Sequence, residues 1–300
     1  MRLPVDKVLL PFLKWAGGKR WLILNYRYLF PASFETYVEP FVGGGAVYFG
    51  LLPEQALLSD ANDRLIECYT QVRDNPKKLM SLMRLHQQNH STEYYYDVRA
   101  KVCRSDSSRA AQFLYLNRTC WNGLYRANLN GVFNVPKGTK DSVVFAGESF
   151  DGPSRALAKA ELRACDFEKT IALAKDGDFL FVDPPYTVKH NFNGFAKYNE
   201  TIFSWTDQIR LRNALDGAAS RGVKIMLTNA DHESVVELFF GLGNIHKVRR
   251  TSLIASESQR RSSVTEIVVT VNYEVGRNDV TASTIARPRS DGRPRTGASR

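Results

Sequence analysis

Asp183-Pro184-Pro185-Tyr186 follows directly on the apolar run Phe179-Leu180-Phe181-Val182. Two successive prolines fix φ at two positions and remove two N–H donors. The backbone there is stiff, and its carbonyls are left to accept from something else. A carboxylate, such carbonyls and a ring face, thrown off the end of a buried strand, suit a flat molecule that carries an amino group, such as a nucleobase. Chemistry at a base amino group is the hypothesis that the rest of the chain must meet.

Two more carboxylates end apolar runs in the same way, Asp60 after Gln55 to Ser59 and Asp166 after Glu161 to Cys165. Each serves equally well as a helix cap or a surface acid. Together on one sheet edge they suit a ligand: Asp60 can accept from ribose hydroxyls and Asp166 from the amino group of an adenine. Gly43-Gly44-Gly45 at another strand end permits close backbone approach. A dinucleotide fingerprint needs glycine at position 48, where Tyr48 stands, so a nicotinamide or flavin site is disfavoured. A cofactor without a pyrophosphate, bearing an adenosyl group and an amino acid, fits better. Ahead of the first strand, Phe12-Leu13-Lys14-Trp15-Ala16-Gly17-Gly18-Lys19 offers a stacking face, room for close approach and two cations. By itself it also reads as an N-terminal turn with an anchoring tryptophan.

The elements that must position these groups alternate. Strands are expected at Thr36 to Glu39, Gln55 to Ser59, Glu161 to Cys165, Phe179 to Val182 and Val223 to Leu227. Helices are expected over Ala46 to Leu52, from a Ser204 or Thr206 cap to about Arg221, and over Glu233 to Phe240 from an Asp231 cap. Strand-helix alternation with polar strand ends describes an α/β open sheet with its site at the carboxyl edge. Ile245 to Ile254 and Ser263 to Tyr273 read as an antiparallel pair joined by a basic polar loop. Residues 68 to 160 lack this rhythm. Pro76 to His90, Glu93 to Cys103 and Ser107 to Leu116 look helical, and Asn130-Gly131 marks a hairpin turn between extended runs.

Bulk properties narrow the partners. Lys and Arg number 41 against 31 acids, a net charge of +10, which points to a polyanion, most simply nucleic acid. Residues 276 to 300 hold six arginines against Asp279 and Asp291, which leaves this tail at +4 and the remainder at +6. Its Arg, Pro, Ser and Thr composition reads as disordered. Cys68, Cys103, Cys120 and Cys165 show no paired spacing, which argues against a zinc or disulfide framework and fits a reducing compartment. No signal peptide and no run of the roughly 20 apolar residues of a membrane span is evident. A cytoplasmic location is expected.

The segments Lys14 to Lys19, Glu39-Pro40-Phe41-Val42-Gly43-Gly44-Gly45, Leu116-Asn117-Arg118-Thr119-Cys120-Trp121-Asn122-Gly123-Leu124-Tyr125-Arg126, Phe133-Asn134-Val135-Pro136 and Asp183 to Tyr186 resemble, in kind and order, the Dam-type DNA adenine-N6 methyltransferases. The resemblance spans about residues 8 to 273. It implies a Rossmann-like methyltransferase sheet formed by residues 1–67 and 161–275. A mainly helical target-recognition domain with a β-hairpin, residues 68–160, is inserted into it, and 276–300 is a disordered basic tail. Trp15, Lys19, Glu39, Pro40, Phe41, Gly43, Gly45, Asp60, Asp166 and Asp183 would surround S-adenosylmethionine, with no metal. Asp183 and the Pro184 carbonyl would hold the amino group of the target adenine, and Tyr186 would stack on its ring. Lys14, Trp121, Asn122, Leu124, Arg126, Pro136 and Lys140 fall where such enzymes contact or wedge into a GATC site.

The implied partner is double-stranded DNA, bound by a monomer in a bacterial or phage-infected cell. The implied mechanism flips adenine out of the duplex and attacks the methyl donor in line. Rival readings are the same chemistry at another DNA sequence, methylation of RNA or of a protein amide, and a non-catalytic DNA-binding protein on the same fold. The hairpin argues against RNA and protein substrates. The cofactor turn together with the tetrapeptide argues against a mere binder.

Overall fold

Every functional segment is hung on one sheet. The computed structural model describes residues 9–123, 126, 133–189, 203–251 and 263–276. Its described strands are β1 (Tyr37–Glu39), β2 (Ala56–Asp60), β3 (Ala160–Ala164), β4 (Phe179–Val182), β5 (Lys224–Ala230), β6 (Asn244–Thr251) and β7 (Ser263–Val271). They lie in the order β3-β2-β1-β4-β5-β7-β6. The first five run parallel, and β7 is antiparallel to both β5 and β6. From β1 the chain first builds outward through β2 and β3, then returns to place β4 on the other side. The order therefore reverses between β1 and β4, the position where open α/β sheets open a crevice at their carboxyl ends.

The α-helices among the described residues are α1 (Arg20–Asn25), α2 (Ala46–Leu51), α3 (Asp63–Asp74), α4 (Pro76–Asn89), α5 (Thr92–Ala100), α6 (Asp106–Thr119), α7 (Asp151–Leu157), α8 (Phe167–Leu173), α9 (Trp205–Ser220) and α10 (Glu233–Phe239). They form two layers. Strand alternation sends Tyr37, Phe179, Phe181, Met226 and Val268 into a core shared with α1 to α7. Val38, Leu180, Val182, Ile225, Leu227 and Val269 enter a second core shared with α8, α9 and α10. Central strands covered on both faces read as unbroken apolar runs, which is why Phe179 to Val182 has no polar member. The helices α4, α5 and α6 of the middle region pack into the first core, continuous with the sheet.

Local chemistry explains most boundaries. Ser204 caps α9 in a reciprocal box with Asp207, its side chain accepting from the Asp207 N–H while the Asp207 carboxylate accepts from the Ser204 N–H. Gly222, at φ +86°, follows the end of α9. The expected cap of the next helix is corrected: His232 caps α10, accepting from the Ser234 N–H, whereas Asp231 pairs with Lys247 at 2.9 Å. A carboxylate already held by a neighbouring ammonium leaves the capping position to the imidazole one residue on. Helix α3 was not anticipated. Asn62 caps it, and Leu65, Ile66, Tyr69 and Val72 bury one face as it runs through residue 68. Leu124, the Asn130-Gly131 turn, the segment joining β6 to β7 beyond Thr251, and residues past Gly276 lie outside the described residues.

Removing the Ser204 hydroxyl should lower the unfolding free energy by about 1 kcal/mol. Urea denaturation of Ser204→Ala measures it, and an unchanged midpoint would show that the box contributes nothing.

Candidate functional site

β1 ends in Glu39 and β4 leads into Asp183, so the two acids stand on adjacent strands at the crevice. Asp183 is held from two sides. The Lys19 ammonium lies 2.9 Å from its Oδ1, and the Thr228 hydroxyl of β5 donates to the same oxygen at 2.7 Å. Among the described residues no donor reaches Oδ2. Burial pushes the Asp183 carboxyl up from its ordinary range, Lys19 and Thr228 pull it back, and the charge of Glu266 adds to the rise. The Lys19 side chain is only 3% exposed against 18% for Asp183, and its ammonium also donates to the Gly17 carbonyl at 2.8 Å.

Tyr186 completes this edge. Its hydroxyl donates to Glu266 Oε2 at 2.7 Å, and Lys19 Nζ sits 4.8 Å from its ring centroid, a cation–π contact. Behind the tetrapeptide, the Thr187 hydroxyl donates to the Phe203 carbonyl at 2.6 Å. Gln208 reaches the Thr187 carbonyl and accepts from Asn229. These bonds tie Thr187 to Phe203 and Gln208; residues 190 to 202 lie outside the described residues.

The second cluster surrounds the glycine turn. Gly43 and Gly45 have φ of +45° and +65°, a region that favours glycine. Asp60 ties the turn down, its Oδ2 accepting from the Gly43 N–H at 3.1 Å and its Oδ1 from the Asn62 N–H at 3.0 Å. The close approach expected for a ligand is taken up in part by the protein. A Cβ on Gly43 would stand 2.7 Å from Trp15 Cδ1, and one on Gly45 would stand 2.7 Å from the Tyr69 hydroxyl. Trp15 in turn stacks on Phe113 of α6.

Buried Pro40 precedes Phe41, whose ring stacks on Phe167 at 5.3 Å. Asp166 caps α8 through the Glu168 N–H and pairs with Arg210 at 3.1 Å. Glu39 is 3% exposed, and its Oε2 has no hydrogen-bond partner among the described residues. Burial first, then the charges of Asp183 and Asp60, push this carboxyl well above its ordinary range, against the pull of Tyr37. A buried carboxyl oxygen without a donor calls for one from a ligand.

A third group gathers on the helical side. Asn117 grips the backbone of Lys14 at both ends: the Lys14 N–H donates to its Oδ1 at 3.0 Å, and its Nδ2 donates to the Lys14 carbonyl at 2.7 Å. Buried Arg118 donates to the carbonyls of Phe12 and Val143 and forms a two-pronged pair with Glu148. Lys14 and Lys140 meet here. Burial and then the charge of Lys140 lower the Lys14 ammonium to about 8.

The base of the expected hairpin is present, with the Trp121 N–H donating to the Pro136 carbonyl at 2.9 Å. An antiparallel bridge links Cys120 and Lys137, and Arg126 Nε donates to Asn134 Oδ1 at 3.2 Å. Trp121, Asn122, Arg126, Pro136 and Lys140 are all exposed; Leu124 lies outside the described residues. The site residues thus fall into an edge around Asp183 and Tyr186, a turn cluster and an exposed face, joined by the segment Phe12 to Lys19. Sequence reasoning missed Thr228, Glu266 and Arg250. The signal for Glu266 was a lone acid at an inward position of an apolar strand.

The fold is a Rossmann-like methyltransferase sheet. Residues 15–254 match the family model described as D12 class N6 adenine-specific DNA methyltransferase, and the chain belongs to that family. It is 40% identical over 272 residues to a Type II methyltransferase of Lactococcus lactis subsp. cremoris, covering 88% of this chain and 95% of the relative. A Type II methyltransferase of Methanocaldococcus jannaschii is 32% identical over 286 residues, 88% of this chain and 99% of the relative. The DNA adenine methylase of Vibrio cholerae serotype O1 is 31% identical over 263 residues, 86% and 94%. The activity is that of a site-specific, adenine-specific DNA methyltransferase. Among the described residues no cluster could hold a metal, and no helix is long and apolar enough to cross a membrane.

Lys19 holds the Asp183 carboxyl down, so a Lys19→Met variant should protonate Asp183 more readily as pH falls. The acid limb of its pH–rate profile should move to higher pH than wild type. A limb that stays put would show that Asp183 is not the titrating group or that Lys19 does not govern it.

Proposed function

We propose that this enzyme transfers the methyl group of S-adenosylmethionine to the N6 nitrogen of an adenine swung out of duplex DNA, within the sequence GATC. The observation that carries the reading is the one-sided holding of Asp183. Both of its donors converge on Oδ1, which leaves Oδ2 to accept from an incoming amino group. The neighbouring Pro184 carbonyl accepts nothing from the described residues and can take the second N–H.

Two such hydrogen bonds favour a tetrahedral nitrogen whose lone pair is no longer shared with the ring. They grow stronger as the transition state is approached. As the nitrogen becomes cationic, the ionised Asp183 stabilises it, and the proton leaves to Asp183 or to water. Tyr186 recovers stacking of about 1–3 kcal/mol for the extruded base, whose amino group is otherwise hidden in base pairing.

The turn cluster fits the methyl donor. Glu39 Oε2, a buried acceptor without a partner among the described residues, is available to a cationic or N–H-bearing group. Asp60 keeps lone pairs for ribose hydroxyls. Asp166 stands at the end of β3 for an adenine amino group, with Phe41 close to that strand end and Trp15 against the glycines. S-adenosylmethionine supplies an activated methyl on a sulfonium. The protein's part is to hold the acceptor nitrogen in line with it at about 3 Å.

Residues 68–160 would read DNA, on a catalytic body formed by 1–67 and 161–275. Arg126 would fork onto a guanine, Leu124 and Pro136 would pack on a thymine methyl, and Trp121 or Asn122 would fill the space left by the flipped base. Lys14 and Lys140 add charge where phosphate or a base edge passes. The enzyme would act as a monomer in the cytoplasm.

Expression in cells that lack adenine methylation, followed by mapping of modified bases, tests the reading. Methyladenine in GATC is expected; in another motif, the specificity part fails. Asp183→Ala should abolish methylation while DNA affinity stays within a few-fold, and substantial residual activity would remove Asp183 from its role. Arg126→Ala should cost about 1–3 kcal/mol of discrimination at one base pair. A competition assay over single-base variants of the site would show this, and an unchanged preference would displace Arg126 from base contact.

A further inference from the structure

Glu266 lies on β7, outside the set of residues that would hold the adenine or the methyl donor. On that strand it alternates with Val268, which enters the core beneath α1 to α7, so it faces the same side as Lys19. Its side chain is 3% exposed. An acid buried this deeply is retained against a desolvation cost and must be fully partnered. Its partners are specific. Oε2 accepts from the Tyr186 hydroxyl at 2.7 Å and lies 3.7 Å from Lys19 Nζ, and Oε1 lies 3.3 Å from Arg250 Nε. The sheet register sets Glu266 opposite Val248, two residues from Arg250 on the same face of β6. Two acids, Asp183 and Glu266, thus balance two cations, Lys19 and Arg250.

We propose that Glu266 is a positioning residue for methyl transfer: through the Tyr186 hydroxyl and the Lys19 ammonium it sets the angle of the stacking ring and the seat of the cation against Asp183. The proposal rests on the assignment of Tyr186 and Asp183 to the adenine. The geometry explains why this edge carries tyrosine. A phenylalanine would supply the same stacking face, but only a hydroxyl can be tethered to a carboxylate on a strand 80 residues away. Among the described residues, the groups that act on Asp183 are Lys19, Thr228, Tyr186, Glu266 and, on the adjacent strand, Glu39 and Tyr37. Of these, Glu266 touches both Lys19 and Tyr186.

A double-mutant cycle in the full-length enzyme tests this with Glu266→Gln and Tyr186→Phe, both near-isosteric so that folding is preserved. Each single variant should slow single-turnover methylation of a GATC duplex about tenfold, with S-adenosylmethionine affinity changed less than about twofold. The double variant should be no more than about twofold slower than the worse single. Glu266→Gln should also move the acid limb of the pH–rate profile to lower pH, because a negative charge near Asp183 is gone. Multiplying losses in the double variant together with an unmoved limb, or a wild-type rate in Glu266→Gln, would overturn the proposal. Failure of the underlying assignment shows differently: wild-type enzyme would leave the duplex without methyladenine, or Asp183→Ala would remain active.

Discussion

One buried ammonium ties the working parts of this enzyme together. Lys19 is almost wholly inside the protein, and its protons meet the Gly17 carbonyl and Asp183, with Glu266 just beyond. An ammonium taken out of water is tolerated only where opposite charge and hydrogen bonds replace its hydration. Its position therefore dictates where the carboxylates must be. Asp183 comes from the end of β4, Glu266 from β7, and Lys19 from the segment that enters α1. The ion cluster closes only when the parallel half of the sheet and its antiparallel edge are both in register.

The same segment connects this cluster to the rest of the site. Between Phe12 and Lys19 the chain passes three holding points: Arg118 on the Phe12 carbonyl, Asn117 on both backbone groups of Lys14, and Trp15 against Gly43. Asn117 and Arg118 belong to the last turns of α6, which lead to the exposed Trp121 and Asn122. Four residues separate Lys14, beside that exposed face, from Lys19 at Asp183. The helical part and the sheet share one apolar core, so this strap lies across a packed junction rather than a loose linker.

Much of this was legible in the sequence because it is local. A four-residue apolar run ending in an acid and two prolines marks β4 and its stiff exit, and Ser204 with Asp207 three residues on marks the start of α9. The acids after β2 and β3 stand at strand ends for the same reason as Asp183. Helix α3 was not anticipated, although Leu65, Ile66, Tyr69 and Val72 stand at helical spacing, and it runs through residue 68. The contacts between distant residues were not legible. Lys14 meets Asn117 across 103 positions and Tyr186 meets Glu266 across 80, and no periodicity encodes such pairs. The glycine turn shows the mixed case. Its need for close approach was evident, but Trp15 and Tyr69, side chains of the protein itself, claim part of the space.

Methyl transfer as proposed requires a base amino group to meet Asp183 and Tyr186 as the methyl group arrives. Nucleoside mass spectrometry of duplex DNA, after incubation with the enzyme and S-adenosylmethionine carrying a deuterated methyl group, reports the acceptor atom directly. The label should appear in N6-methyladenine, at one adenine per strand of each recognised site. Label on cytosine or on the sugar-phosphate backbone, or DNA that stays unlabelled while the donor is bound, would contradict it.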